Sequence, residues 1–565
     1  MKIRHIDIKH FRGIQTLSWT VPEGGIVCLI GRGDSTKSTI LDAIRYALFP
    51  AWNPSFNEFD FFQTDTSSDV EITITLGELP EDLLSDNKYG LYLRGWDSSK
   101  KCAVDEPEDG LEEVITVRLI VDQDLEPKWT VICERFEEGK PFRVSDRAKA
   151  CATYIGAYAD SHLTWNKNSA LSRITESENI LGLLSEASRA AKEALNADRH
   201  EKLASFDSAA NVAEGIAKKF GVPVSGDGAY KAQLDTGAIN IRAGGLSLHD
   251  QNIPLRRLGL GSRRMLTFGI QQEGLSEPHI TLIDEIEIGL EPHRISRLLK
   301  KLNEDDGGQY FITTHSPVVL RELTVEQLSV VQIQSGQVTV KGAAIAGIKD
   351  NIQGKIRKDA GAFLAKKVIV CEGATEVGLC RGLDNHWTVQ GNDPFSFHGV
   401  AMFDAGGGSQ IRNTAEAIIS LGYEVLVIGD SDDSSFSASD ETDLVNLGAQ
   451  VTRWEGDLSI EEYFFNNLSW ETVLSSVRYA YSIYSDQSVI AQVRNDFPSA
   501  ADDVAEWTDS EALRTAIGSA AKRKSWFKRQ DRAEEWVSDI KGSLNDGSTP
   551  IGAHIESIKA WVTDA

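Results

Sequence analysis

The chain has 565 residues, with 58 basic and 84 acidic side chains and a formal net charge of −26. That length exceeds what one hydrophobic core supports, so about two to four domains are expected. The negative balance excludes a protein that coats nucleic acid through bulk charge, though not a local basic groove. No apolar run approaches the ~18 residues of a membrane span. The opening MKIRHIDIKHFRGI alternates like a strand and has no signal-peptide core. The six cysteines form no CxxC pair, which points to a reduced, cytoplasmic protein. The eleven histidines show no zinc-ligand spacing.

In chain order, Met1 to Ile8 reads as an edge strand, with a turn at His10-Phe11-Arg12-Gly13. Leu17, Trp19 and Val21 alternate again. Ile26 to Ile30 is an unbroken apolar run that suits a strand buried on both faces. Leu41, Ile44 and Leu48 recur at helical spacing after Ser38. Val70 to Leu76, Val114 to Val121 and Trp129 to Phe136 read as strands. The stretch from Gly77 to Glu113 reads as an acidic loop. Ser177 to Lys219 is rich in Ala, Glu, Lys and Leu, and it reads as helical. It is either a projecting insertion, a candidate dimerisation arm, or a helical layer of the same domain.

Between the strand Ile26–Ile30 and the helix lies Gly31-Arg32-Gly33-Asp34-Ser35-Thr36-Lys37-Ser38-Thr39. This is nearly the phosphate-loop pattern G-x-x-x-x-G-K-[ST]. Backbone N–H groups and the helix N-terminus would cradle phosphate oxygens. Lys37 would reach the β- and γ-phosphates and the Ser38 hydroxyl would ligate Mg²⁺. The second glycine of the pattern is Thr36, whose Cβ narrows the room for a strained backbone. Further on, Ile280 to Ile283 is an apolar strand ending in Asp284 and Glu285. Nucleotide hydrolysis needs one carboxylate for the Mg²⁺ shell and another to polarise water. Asp284 suits the first role and Glu285 the second.

IKHFRGI, the phosphate loop, LGLGSRR, LIDEIEIGLEP and ITTHSP occur in an order that resembles the ATP-binding-cassette (ABC) ATPases of chromosome maintenance and recombination. The resemblance implies that Gly261 and Ser262 form a signature completing the phosphate site of a second subunit. It implies that His315 senses the γ-phosphate and that Gln63 is the Q-loop glutamine. Thr36, and Gly33 where related loops often have Asn, make ATP binding better supported than rapid turnover.

A second constellation begins at Lys367 to Cys371, an apolar strand followed by Glu372, Gly373 and Glu376. Val425 to Ile428 is another strand, and it leads into Gly429, Asp430 and Asp432. Several carboxylates at neighbouring strand ends repel one another unless cations lie between them, and hard divalent ions prefer such oxygen ligands. The combination, with Phe403-Asp404-Ala405-Gly406-Gly407-Gly408-Ser409 between the acids, resembles the TOPRIM domain of topoisomerases, primases and certain nucleases.

A cassette ATPase fused to a TOPRIM domain resembles the OLD (overcoming lysogenisation defect) family of nucleases. The likeness extends to LSIEEYF, where Glu461 matches a further acid, and to KSWFK, where Lys528 matches a catalytic lysine. The expected fold is α/β: an ABC-type ATPase head with a helical insertion, then a TOPRIM α/β domain and a helical C-terminal region. The expected limits are 1–145 and 230–342 for the head, 146–229 for the insertion, 343–366 for a linker, 367–469 for TOPRIM and 470–565 for the helical end.

The implied activity is an ATP-regulated DNA endonuclease that uses Mg²⁺ or Mn²⁺. Its metals would sit among Glu372, Glu376, Asp430, Asp432 and Glu461. The resemblance further implies a homodimer or larger assembly, a place in bacterial anti-phage defence, and a helicase or reverse-transcriptase partner in some systems. The competing readings are a DNA-binding ATP clamp with a non-catalytic TOPRIM domain, a topoisomerase-like enzyme, and an RNA-cleaving enzyme.

Overall fold

The computed structural model describes residues 1–50, 54–150, 152–156, 201–219, 247–273, 279–343, 349–432, 434–544 and 547–564, with isolated positions between 157 and 246. The chain divides into two compact units: 1–154, 279–287 and 292–565 form the first, and 155–278 with 288–291 form the second.

The first unit opens with β1 (Lys2–Phe11), β2 (Ile14–Thr20), β3 (Ile26–Ile30), α1 (Lys37–Ala47) and β4 (Val70–Gly77). β1 is not an edge strand, because β2 and β4 pair with it on its two sides. Its polar residues mimic a solvated edge in sequence, yet they are matched across the sheet. Lys9 pairs with Glu71 at 3.2 Å, and Arg4 pairs with Glu112 at 2.9 Å.

The stretch read as an acidic loop contains α2 (Glu81–Leu84), β5 (Arg94–Asp97) and β6 (Cys102–Val104). β7 (Glu112–Val121), β8 (Pro127–Cys133) and β9 (Phe136–Pro141) follow, then α3 (Val144–Ala150) and β10 (Ala152–Ile155). The single run Trp129–Phe136 is therefore the end of one strand and the turn into the next. β8 and β9 are antiparallel, and apolar spacing alone does not mark that reversal.

The second unit holds α4 (Glu201–Lys219), two short strands β11 (His249–Asp250) and β12 (Ile253–Pro254), and α5 (Leu260–Glu273). Ile180, Leu183 and Leu184, part of the helical reading, lie outside the described residues.

The first unit resumes with β13 (His279–Ile283), α6 (Pro292–Asn303), β14 (Gly308–Thr313), α7 (Pro317–Glu322), β15 (Leu328–Gln334) and β16 (Gln337–Gly342). The central sheet reads β13-β14-β3-β15-β16-β2-β1-β4-β7. β13, β14, β3 and β15 are parallel, so their C-terminal ends share one edge, where open α/β sheets bind ligands.

After α8 (Lys349–Lys358) a second sheet forms from β17 (Lys367–Cys371), β18 (Val400–Asp404), β19 (Glu424–Gly429) and β20 (Gln450–Arg453). Its order is β18-β17-β19-β20, all parallel. The helices α9 (Ala374–Val389), α10 (Gly408–Ser420) and α11 (Ala438–Asn446) connect its strands.

The end of the chain is helical: α12 (Ile460–Asn467), α13 (Trp470–Ile483), α14 (Asp486–Arg494), α15 (Glu511–Lys524), α16 (Gln530–Leu544) and α17 (Pro550–Thr563). These helices share one apolar core with the second sheet, including Ile369, Leu426, Trp454, Phe464, Trp526 and Trp536. Gly378 and Gly382 let α9 approach α16, since a Cβ at either position would lie 2.5 Å from Ala533 or Val537 atoms. Among the described residues no helix is long and apolar enough to cross a membrane.

Candidate nucleotide site and carboxylate cluster

The phosphate loop sits at the C-terminal end of β3, between β14 and β15. Gly31 has φ +138°, and a Cβ there would lie 2.5 Å from the Val331 carbonyl oxygen. Asp34 and Thr36 have φ of 57° and 66°. Thr36 thus adopts the left-handed backbone that the usual glycine takes freely, at a cost of roughly 1–2 kcal/mol for an L side chain. Its hydroxyl donates to the Ser35 carbonyl at 2.6 Å. The Lys37 ammonium is folded into the loop. It donates to the carbonyls of Gly31 and Arg32 at 3.1 and 2.7 Å and to Ser35 Oγ at 3.2 Å. Burial pushes its pKa down to about 8, against the pull of Asp34, Asp284 and Glu285.

Ser38, at the start of α1, donates to Asp284 Oδ1 at 2.9 Å. Thr313 Oγ1 donates to the same oxygen at 2.6 Å and accepts from the Glu285 N–H at 2.8 Å. Glu285 has φ 46°, an uncommon conformation for a non-glycine residue. Glu287, which the motif reading passed over, accepts from the Thr314 hydroxyl and from the His315 N–H, both at 2.7 Å. The ends of β13 and β14 are therefore laced together, and this lacing fixes the turn that presents the exposed His315.

Tyr154, also missed, lies against Asp284, and burial followed by that carboxylate pushes its pKa up to about 12. Arg12 binds Asp60 at 2.9 Å and Asp42 at 2.5 Å, so the turn after β1 holds α1 and the segment leading to Gln63. Gln63 has φ 53° and an exposed side chain. Gly261 and Ser262 stand in the first turn of α5, in the second unit. Gly261 has no room for a Cβ beside the Gly289 carbonyl. Gly33 and Thr39 complete the loop, with open space at the Gly33 Cβ position.

The carboxylates gather at the C-terminal edge of the second sheet. β17 and β19 are neighbours, so Glu372 and Asp430 emerge side by side. Glu372 Oε2 accepts from the Asp430 N–H at 2.8 Å. Glu376, in the first turn of α9, is 3% exposed, and its Oε2 accepts from the Gly373 N–H at 2.8 Å. Asp430 Oδ1 accepts from the Ile460 N–H at 2.8 Å, at the start of α12. Glu461 is the next residue and is also 3% exposed.

Burial first, then the charges of Glu376, Glu372, Glu461 and Asp432, push the Asp430 carboxyl up to about 10. Burial, Glu372 and Glu461 push Glu376 up to about 8. Burial raises Glu461 as well, against the pull of Lys528 and Lys522. The donors are hard oxygens packed closely enough to repel, which suits divalent cations in kind. Among the described residues no group of three or more His, Cys, Asp or Glu side chains is already gathered around one ligand point.

Two lysines face these acids. Lys528 lies close enough to Glu461 to offset its charge. Buried Trp526 and Phe527 fix its place: the Phe527 ring stacks on Trp536 at 4.1 Å, and Trp526 Nε1 donates to Gln492 at 2.7 Å. Lys522, one basic residue among several in sequence, is the lysine that pairs with Asp432 and, at 2.9 Å, with Glu462. Only the packing of α15 against α12 distinguishes it from its neighbours.

Two family models match the chain. One, described as "AAA domain, putative AbiEii toxin, Type IV TA system", spans residues 135–321. It contains Gly261, Ser262, Asp284, Glu285 and His315 and begins beyond the phosphate loop. The other, described as "Overcoming lysogenization defect protein-like, TOPRIM domain", spans residues 363–432 and so contains Glu372, Glu376, Asp430 and Asp432. The chain matches no curated protein sequence at a significant level.

Among solved structures, the SMC head domain from Thermotoga maritima is 15% identical with a TM-score of 0.30, and the match covers 61% of this chain and 100% of that one. An Smc head bound to the C-terminal winged-helix domain of ScpA is 16% identical with a TM-score of 0.32, covering 60% and 97%. An Smc head with an extended coiled coil, bound to the C-terminal domain of ScpA derived from Pyrococcus furiosus, is 12% identical with a TM-score of 0.32, covering 60% and 95%. The ATPase domain implies nucleotide binding. The chain therefore carries an ATPase domain followed by an OLD-like (overcoming lysogenisation defect) TOPRIM domain, an order of domains that resembles the OLD family.

Proposed function

We propose that the chain is an ATP-regulated, divalent-metal-dependent DNA endonuclease of bacterial anti-phage defence. The observation that carries this reading is the pairing of Glu372 with the Asp430 backbone at one sheet edge, with Glu376 and Glu461 buried beside them. Two Mg²⁺ or Mn²⁺ ions bound there would supply an activated water and stabilise the leaving oxygen. Glu372, Glu376, Asp430, Asp432 and Glu461 would hold them. Lys528 would offset charge developing on the scissile phosphate.

At the other site, Gly31 to Thr39 would cradle ATP, with Ser38 and Asp284 holding its Mg²⁺ and Glu285 orienting water. Gly261 and Ser262 of a second copy would close the phosphate site, with Gln63 and His315 reporting the γ-phosphate. ATP would thereby pair two heads and gate access to DNA. A homodimer or larger assembly follows from that arrangement, and a helicase or reverse transcriptase is the kind of further partner such a system uses. The domain limits 1–145, 146–229, 230–342, 343–366, 367–469 and 470–565 are part of the proposal.

The test is supercoiled plasmid incubated with Mg²⁺ or Mn²⁺, with and without ATP, beside Glu372→Ala and Lys37→Ala. Nicking or linearisation that disappears in Glu372→Ala is the expected result. Equal cleavage by Glu372→Ala would sink the assignment. A single-stranded RNA competitor in the same assay separates DNA from RNA as substrate.

A further inference from the structure

α8 lies between the two sheets in sequence, and its side chains reach towards both. Gln353 faces the ATPase side. Its Oε1 accepts from the Val325 N–H at 2.7 Å, and its Nε2 donates to the Leu323 carbonyl at 3.2 Å. Leu323 is the C-cap of α7, and α7 begins at Pro317, two residues after His315. At the C-terminal end of α8, the Lys358 ammonium donates to the Asp404 carbonyl at 3.0 Å and pairs with its carboxylate at 3.2 Å. Asp404 is the last residue of β18.

The turn beyond Asp404 is fastened to the acid cluster. The N–H groups of Gly406 and Gly407 both donate to the Glu372 carbonyl, at 3.2 and 2.8 Å, and Ala405 donates to the Cys371 carbonyl at 2.9 Å. Gly406 also donates to Asp404 Oδ1 at 2.8 Å. The φ values of Gly406 and Gly407 are +89° and +118°, a backbone path that side-chain-bearing residues rarely take.

Between its two ends, α8 is held in rotation. Ile352 and Ile356 are fully buried one turn apart, and the buried Lys355 ammonium binds the Thr414 hydroxyl on α10. A helix of 10 residues gripped in this way is suited to transmit a shift as a rigid unit, because close-packed interfaces shift between discrete arrangements rather than bend. Among the described residues, α7 also packs on the turn Ala360–Leu364 that leads into β17, and Gln332 donates to the Gly422 carbonyl, at the end of β19 remote from Asp430.

We propose that α8 is a strut through which the nucleotide state read at the His315 turn sets the position of Glu372, with Gln353 at mid-helix and Lys358 at its C-terminal end as the positioning residues. The meaning given to Glu372 rests on the nuclease reading, whereas the mechanical coupling does not.

Hydrogen–deuterium exchange of the 404–408 amides in the full chain separates the two. The probe is Mg²⁺ with the non-hydrolysable analogue AMP-PNP, and the variants are Gln353→Ala, Gln353→Met, Lys358→Met and Lys358→Arg. In the wild type, AMP-PNP should change the exchange of this turn by roughly 2- to 30-fold, the range carried by coupled packed networks. Gln353→Ala, Gln353→Met and Lys358→Met should abolish that response, while AMP-PNP affinity stays within about twofold. Lys358→Arg should keep it, which distinguishes positioning from loss of fold, and a thermal melt of each variant checks folding directly. A wild type that shows no response, or Gln353 and Lys358→Met variants that respond fully, overturns the strut. A wild type that responds but cuts no plasmid keeps the strut and sinks the nuclease reading. One that cuts without responding does the reverse.

Discussion

Ser38 and Asp284 stand 246 positions apart in the chain, yet the Ser38 hydroxyl donates to Asp284 Oδ1 at 2.9 Å. One belongs to the first turn of α1 and the other directly follows β13, and the intervening β14 carries Thr313, which bonds the same carboxylate. A hydroxyl and a carboxylate so placed are the two protein ligands a nucleotide-bound Mg²⁺ requires. Asp284→Asn should therefore lower ATP hydrolysis by about 10²-fold or more. Mg²⁺-free binding of a fluorescent ATP analogue should change little. Hydrolysis rates that match the wild type would remove Asp284 from the site.

Thr36 should be a weak point of the phosphate loop. Its φ of 66° is a glycine conformation. Thr36→Gly relieves roughly 1–2 kcal/mol of backbone strain, less the hydrogen bond to the Ser35 carbonyl that is lost with the hydroxyl. Tighter nucleotide binding and faster hydrolysis are expected, and both can be read by titration and phosphate release. A slower variant would show that the threonine hydroxyl itself serves the nucleotide.

Glu287 should matter through His315. Glu287→Ala leaves the His315 N–H and the Thr314 hydroxyl without their shared acceptor. Discrimination between ATP and ADP analogues should fall, with ADP affinity held. Glu287→Gln keeps one acceptor oxygen and should restore part of the discrimination. Equal loss of affinity for both nucleotides would indicate general damage to the loop instead.

Stability of the metal-free protein should depend on pH through the buried acids. Glu376 is raised from 4.5 to about 8, so the folded state keeps a proton that the unfolded chain has released in that window. Stability contributed by this group is complete below the unfolded value and is lost as pH rises towards the folded one. Asp430 shifts in the same direction, from 3.8 to about 10. Thermal melts from pH 5 to 9 in EDTA (roughly the window of these shifts) should show falling stability. Added Mg²⁺ should restore more at the upper end than at the lower, and a flat profile would argue against a strained acid cluster.

The two lysines should separate. Lys528 is exposed and held by its buried neighbours Trp526 and Phe527, so Lys528→Met should lower cleavage by about 10²–10³-fold with the melting temperature unchanged. Lys522→Met leaves Asp432 and Glu462 without their cation. It should lower thermal stability in EDTA and alter Mg²⁺ binding. Identical behaviour of the two variants would remove the distinction.

Much of this was legible in the residue order because it is local chemistry. The run Ile26–Ile30 is completely buried, as five consecutive apolar residues require. The helix after Ser38 and the strands ending at Asp284, Glu372 and Asp430 follow from periodicity and turn residues close by in the chain. What the tertiary structure decided is which distant groups meet. β1 lies inside its sheet because β4, some sixty residues later, pairs with it. Lys522, rather than another lysine of the same basic stretch, reaches Asp432 because α15 packs against α12. Glu287 and Gln353 acquire partners only when strand ends and helix ends come together. Single-chain patterns record which residues prefer helix, strand or turn, but contacts across hundreds of positions depend on sheet order, and no local spacing encodes that order.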